Sequence, residues 1–245
     1  MTSLNTLIPD WRAPERVHAA FTLRHGGVSV RPYDSLNVGI HVGDSAAAVA
    51  ENRARIHRKL LLPGEPVWLE QVHGAQVSQL DQSSHLTRAD ASVTHSAAKV
   101  CAIQVADCMP VLFAARDGSA VGAAHAGWRG LAGGVLEATV QSLSIAPSQL
   151  IAWLGPAIGP ENFEVGTEVR DAFVAGDAAA AEAFVANDRG RWQCDLYWLA
   201  RRRLASIGLA SISGGGWCTY ADAGRFFSYR RDGRCGRMAA LIWRD

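Results

Sequence analysis

A chain of 245 residues with 49% hydrophobic and 19% charged residues has apolar side chains enough for a substantial core. Its formal net charge of +1 provides no basic footprint for nucleic acid or anionic lipid. Five cysteines, an odd number with no CxxC pair, argue against a disulfide framework and for a reducing, cytoplasmic setting.

Met1 to Trp11 lack the basic start and apolar run of a secretory signal. The alanine-rich stretch from Asp171 to Asn187 is broken by Asp177 and Glu182 and is too polar to span a bilayer. Val17 to Leu23 reads as the first strand and runs into a long, glycine-rich loop, Arg24 to Val42, of a length that often marks function. Asp44 or Ser45 caps a helix carrying Val49, Arg53, Ile56 and Leu60, which stops before Pro63-Gly64. Val67 to Val77 reads as a strand interrupted at Gly74. Val100 to Ala106, Val111 to Arg116 and Ala120 to His125 are strands, the last two joined by the hairpin signal Asp117-Gly118. After a helix beyond Trp128 come a short strand, Ile151 to Leu154, and helices over Val165 to Ala175 and Leu196 to Ile207, the second capped by Asp195. Phe226 to Arg231 and Arg237 to Trp243 read as a closing hairpin around Asp232-Gly233. No linker or repeat divides the chain, so one domain over residues 1–245, with mixed or antiparallel strands, is expected.

The hairpin fixes a register. With Arg116 opposite Ser119, Pro110 falls opposite His125, and period-two alternation gives Cys108 the same face. Cys108 and His125 become diagonal neighbours with backbones roughly 7–8 Å apart, within reach of one ion. Pro110 weakens the ladder, since it has no N–H to donate. His73, from another predicted strand, offers a third ligand, although spacing does not place it.

These residues lie in segments that resemble the YfiH-like family, also described as laccase-domain or polyphenol oxidase proteins. The matching segments are TLRHGGVS, SLNVGIHVGD, ENR, QVHG, VADCMPVLF, GAAHAGWRG, LGPAIGP, FEVG and FFSYRRDGRCGRM, in order over nearly the whole chain. The resemblance implies an α+β fold of four layers, α/β/β/α, with mixed sheets. It implies zinc ligands at His73, Cys108 and His125. It also implies phosphorolysis of adenosine, inosine, guanosine and methylthioadenosine, adenosine deamination, or a role in peptidoglycan editing.

Three protein ligands leave a fourth position open, as in catalytic zinc sites. Phosphorolysis further needs cations for phosphate. Arg24, Arg53, Arg129 and Arg230 are candidates, with Arg129 and the loop residue Asn37 preferred for phosphate and sugar. Arg129 serves equally as a surface ion-pairing residue, and Asn37 as a turn residue. His25 is the best spare histidine for acid–base work. Asp107 reads as a structural acceptor. Asp90 is either a turn residue or the group that orients a ligand histidine. Trp128 and the Phe226-Phe227 pair either stack on a purine or fill the core. Cys101, Cys194, Cys218 and Cys235 read as packing residues; no fourth ligand is obvious, with His41 and His95 left open for that place.

Zinc-dependent purine nucleoside phosphorolysis, with adenosine deamination second, is the expected activity. Its partners are small molecules, with neither nucleic acid nor membrane, and a monomer is slightly favoured. A Cys108–His125 hydrolase acting on a cell-wall precursor is the alternative. A copper oxidase is less favoured, because no His-x-His pair occurs and Met109 faces away from Cys108.

Overall fold

The computed structural model describes residues 4–82, 84 and 87–245; residues 1–3 of the N-terminal stretch lie outside them. The chain runs through β1 (Thr6–Leu7), β2 (Val17–Thr22), α1 (Ala46–Leu60) and β3 (Pro66–Trp68). Next come β4 (Val77–Gln79), β5 (Ala91–Thr94), β6 (Val100–Val105), β7 (Met109–Ala115) and β8 (Val121–Ala126). α2 (Trp128–Ala132), α3 (Val135–Ser142), β9 (Leu150–Leu154), β10 (Glu164–Val165) and α4 (Thr167–Val174) follow. The chain closes with β11 (Phe184–Ala186), β12 (Trp192–Cys194), α5 (Leu196–Ser206), β13 (Ser211–Gly214), α6 (Tyr229–Asp232) and β14 (Met238–Arg244).

Side chains alternate across a strand, and the central strands are apolar on both faces. In β6, Cys101, Ile103 and Val105 enter one core while Val100 and Ala102 enter another. In β14, Met238, Ala240 and Ile242 join the first core, and Ala239, Leu241 and Trp243 the second. Leu112 and Ala114 of β7 and Val121 and Ala123 of β8 complete the first core from the opposite side. Their neighbours Val111, Phe113, Ala124 and Ala126 enter a third. Two sheets therefore pack face to face: β1-β2-β14-β6-β3 and β13-β9-β7-β8-β5-β4. α1 covers the outer face of the first with Ile56, and α3 and α5 cover the second with Leu136, Val140, Leu199 and Leu204. This is the expected α/β/β/α arrangement. Both sheets are mixed, with parallel pairs β3/β6, β4/β5 and β9/β13. β10, β12 and β11 form a third, antiparallel sheet. Among the described residues no helix is long and apolar enough to cross a membrane.

Local signals account for the element ends. Ser45 caps α1 by accepting from Ala48 N, and Asp195 caps α5 by accepting from Trp198 N. The β7–β8 hairpin turns at Asp117-Gly118, where Gly118 takes φ +73°, and Pro110 pairs with His125 as the register requires. Pro110 is tolerated near the start of β7, where its carbonyl accepts Gly155 N. β6 and β8 end, and β7 and β14 begin, at one end of the sandwich: Val105 pairs with Met238 and Met109 with Ala126.

Two expectations are corrected. Residues 67–77 are not one strand: β3 lies in the five-stranded sheet and β4 in the six-stranded one. The crossing segment carries His73 at φ +61°, and its amides bond to a side chain instead of a ladder. The closing hairpin is also absent. Ser228 caps the short α6 by accepting from Arg231 N, and β14 pairs instead with β2 and β6.

Candidate metal centre and cavity

Asp90 has no solvent exposure, and its carboxylate gathers the site. Oδ2 accepts Val72 N (3.1 Å) and Gly74 N (2.7 Å); Oδ1 accepts His73 N (2.9 Å) and His125 Nδ1 (2.9 Å). Burial pushes this carboxyl up, but the His125 ring and the Gly74 and Val72 amides outweigh it and hold it below the usual carboxylate range. An ionised carboxylate only accepts, so His125 Nδ1 carries a proton and Nε2 is the atom turned toward an ion, which would displace the proton Nε2 holds in the metal-free protein. The alternative of a turn role for Asp90 gives way to that of an orienting group.

β8 projects His125 into the inter-sheet layer at its open end, and Cys108 arrives from the turn before β7, where Asp107 takes φ +92°. Asp107 is the structural acceptor it was expected to be, taking Thr219 Oγ1 (2.6 Å) and Arg230 N (2.7 Å). His73, Cys108 and His125 each offer one ligand atom, all within 4.8 Å of one another, and Cys108 Sγ lies 3.9 Å from His73 Nε2. Metal bonds of about 2.3 Å to sulfur and 2.0–2.1 Å to nitrogen place tetrahedral ligands about 3.5 Å apart. A small contraction brings these three to that spacing, so the donor set fits a metal ion. Gly127 makes room for it: a Cβ there would sit 2.9 Å from Cys108 Sγ and 3.2 Å from His73 Cδ2.

The trio is polarised. Burial raises the Cys108 thiol, but His125 and His73 outweigh it and bring it down to about 6. Burial lowers His125, yet the Cys108 thiolate and Asp90 raise the ring above its ordinary value. The other expected packing cysteines behave differently: burial pushes Cys101 up to about 12, and raises Cys194 and Cys235 as well. Cys218 is partly exposed and accepts Gly159 N and Asn162 Nδ2.

The ligands open into a cavity of about 360 Å³ lined also by His41, Gln71, Gln104, Val105, Ala106, Tyr229 and Arg237. His41 is held below its ordinary value by burial first, then by Arg237 and Arg53, so it is neutral at pH 7. Arg237 has no carboxylate partner among the described residues; its Nη1 donates to the carbonyls of Cys235 and Gly236.

None of the five residues put forward for substrate lines this cavity. Asn37 is fully buried; its Oδ1 accepts Gly39 N and Arg237 N, so it acts on the cavity by fixing the Arg237 backbone. Arg53 lies 4.1 Å over the Trp68 ring and donates twice to Val38 O. Arg24 donates to Asp34 O and Ala223 O, and Arg129 stacks on Trp128 at 4.4 Å. Arg230 donates to Glu164 O. His25 bonds to Gly224 O and His95 to Leu143 O, away from the ligands. Phe226 and Phe227 are core residues without exposure. The sequence reading missed Tyr229, Arg237, Gln71 and Gln104, and weighed His41 only as a ligand. No motif spacing marks them, because β6, β14 and the segments beside them assemble from distant parts of the chain.

The family model described as multi-copper polyphenol oxidoreductase laccase matches residues 18–245. A purine nucleoside phosphorylase of Pseudomonas aeruginosa is 55% identical over 238 residues, covering 97% of each chain. The purine nucleoside phosphorylase YfiH of Escherichia coli K12 is 52% identical over 238 residues, covering 97% of this chain and 98% of its own. A Neisseria meningitidis crystal structure superposes with a TM-score of 0.94 at 47% identity, covering 98% of this chain and 99% of its own. The chain belongs to this laccase-domain, YfiH-like family.

Asp90→Asn puts a donor where the site needs an acceptor and lowers divalent-metal affinity about 10- to 100-fold in chelator competition; unaltered affinity would contradict its orienting role. In metal-free protein, alkylation of Cys108 follows the thiolate. Peptide mass spectrometry should give a rate midpoint near pH 6, in place of the ordinary thiol value of about 8.5. His125→Ala should move that midpoint upward, and an ordinary midpoint in the unaltered protein would refute the pairing.

Proposed function

We propose that the protein catalyses zinc-dependent phosphorolysis of purine nucleosides, adenosine and inosine among them, and deaminates adenosine as a second activity of the same site. The observation that carries this reading is a His–Cys–His ligand set opening into a cavity whose wall holds the Arg237 guanidinium, which has no carboxylate partner among the described residues. The names of close relatives support the same activity.

A bound zinc ion would supply a Lewis acid with one position open to substrate. The chain's own groups account for the remaining chemistry. Arg237 neutralises phosphate as one of its oxygens bonds to C1′ of the ribose. The C1′–N9 bond breaks and its electron pair leaves with the base. His41, neutral at pH 7, takes the proton that dihydrogen phosphate gives up and passes it to the departing purine. Tyr229, exposed at the mouth, offers an aromatic face to the base. In deamination, water adds to the purine carbon bearing the amino group and ammonia departs.

The lowered Cys108 thiol beside His125 favours a second reading, a cysteine hydrolase acting on a cell-wall precursor. Copper oxidase chemistry has less support: Met109, next to Cys108 in sequence, is buried in the core on the helix side of its sheet, away from the ligands.

With adenosine and phosphate, the protein should release adenine and ribose 1-phosphate, and Cys108→Ala should lose at least about 100-fold in rate together with its metal. Arg237→Ala should raise the KM for phosphate. Full turnover by Cys108→Ala would remove the ligand set from the mechanism. Activity that survives chelators but not thiol alkylation would favour the hydrolase.

A further inference from the structure

Gln104, a residue of the cavity wall, carries an unanswered hydrogen-bonding group. It is only 6% exposed, and it lines the cavity next to Val105 and Ala106. Its backbone is fully engaged. Gln71 Nε2 donates to Gln104 O (2.9 Å), and Gln104 N donates to Gln71 Oε1 (2.8 Å). This two-point clamp continues the pairing of β3 with β6 after β3 has ended at Trp68. The side chain is different: its buried Oε1 has no partner. Buried acceptors are nearly always paired, because an orphaned one keeps its full desolvation penalty. Ser92, Glu137 and Arg170 also carry an orphaned buried atom, but none of them lines this cavity. Gln104 thus combines a fixed backbone, an unanswered acceptor and a position beside the metal ligands.

We infer that Gln104 is a specificity-determining residue whose carboxamide hydrogen-bonds the polar edge of the purine. The inference rests on the nucleoside reading above. A carboxamide presents an acceptor and a donor side by side. Adenine offers its amino N–H next to N1, and hypoxanthine offers N1–H next to its 6-carbonyl. Each is the complementary pair, and a half-turn of the terminal torsion lets the same side chain serve whichever order the bound base presents. Val105 and Ala106, the apolar neighbours, suit a flat base, whereas Arg237 suits the phosphate. The ribose hydroxyls are the other donors that a nucleoside brings, and the experiment separates them from the base.

Gln104→Met keeps the length of the side chain and removes both polar atoms. kcat/KM is measured for adenosine, inosine, purine riboside (which has neither the amino group nor N1–H) and the 2′- and 3′-deoxyadenosines. For adenosine and inosine the variant should lose about tenfold, mostly in KM. Purine riboside should change by less than about twofold. The deoxyadenosines should lose as much as adenosine. Gln104→Ala, which leaves the clamp with Gln71 intact, should give the same pattern if the methionine variant does not fold. An equal loss on purine riboside, or no loss on adenosine, overturns the inference. A loss that vanishes with a deoxyadenosine reassigns Gln104 to the sugar and overturns it too. A wild-type enzyme that turns over none of these nucleosides sinks the nucleoside reading and this inference together. Wild-type turnover with unchanged preference in the variants sinks only the role of Gln104.

Discussion

The Asp90 carboxylate, buried and taking four hydrogen bonds from two parts of the chain, is the constraint on which the site depends. A buried charge must be compensated, and removing one partner of such a group costs about 3–5 kcal/mol. Here the compensation comes from three successive amides of the crossing segment and from the imidazole of β8. The same bonds that neutralise Asp90 therefore bring His73 and His125 together. Its folded-state value lies below the ordinary one. The stabilisation it provides is therefore present above about pH 4 and is lost as the pH falls through the folded value.

The sandwich supplies the frame for this arrangement. The central strands are apolar on both faces, so the layer between the sheets is mostly apolar, with small hydroxyls such as Ser92 opposite Ala123, and the ligand side chains enter it where the strands stop. His125 shares its face with Val121 and Ala123, and it reaches the open end simply by lying two residues further along β8. Cys108 comes from the turn that starts β7, paired one residue later with the end of β8. Gly127 lets the chain leave β8 without a side chain between the ligands. Strand order thus sets the ligand spacing, and Asp90 sets the ligand orientation.

How much of this was legible depended on the distance over which each feature is determined. The Pro110–His125 register followed from two turn residues, because the Asp117-Gly118 turn leaves only one pairing and alternation does the rest. His73 was legible through the family segment QVHG but not through spacing. Its backbone is bent by a carboxylate 17 residues away, which no periodicity records. For the same reason residues 67–77 looked like a strand: their pattern is apolar, yet the amides that a ladder would use belong to Asp90. The cavity wall around Arg237 was illegible for a different reason. Arginines are frequent in this chain, and Arg24, Arg53 and Arg129 find carbonyls or aromatic rings close by. Arg237 is placed by a bond from its amide to Asn37 across 200 residues. Sequence leaves Asn37 as a sugar ligand or a turn residue; its Oδ1 accepts Gly39 N in a turn and also the Arg237 amide, so it is a buried strut for the residue that lines the cavity.

X-ray absorption at the zinc edge of the loaded protein tests the central claim most directly. The account predicts a first shell with one sulfur at about 2.3 Å, two imidazole nitrogens at about 2.0–2.1 Å and one further light atom. A shell without sulfur, or a spectrum unchanged in Cys108→Ser, would contradict it.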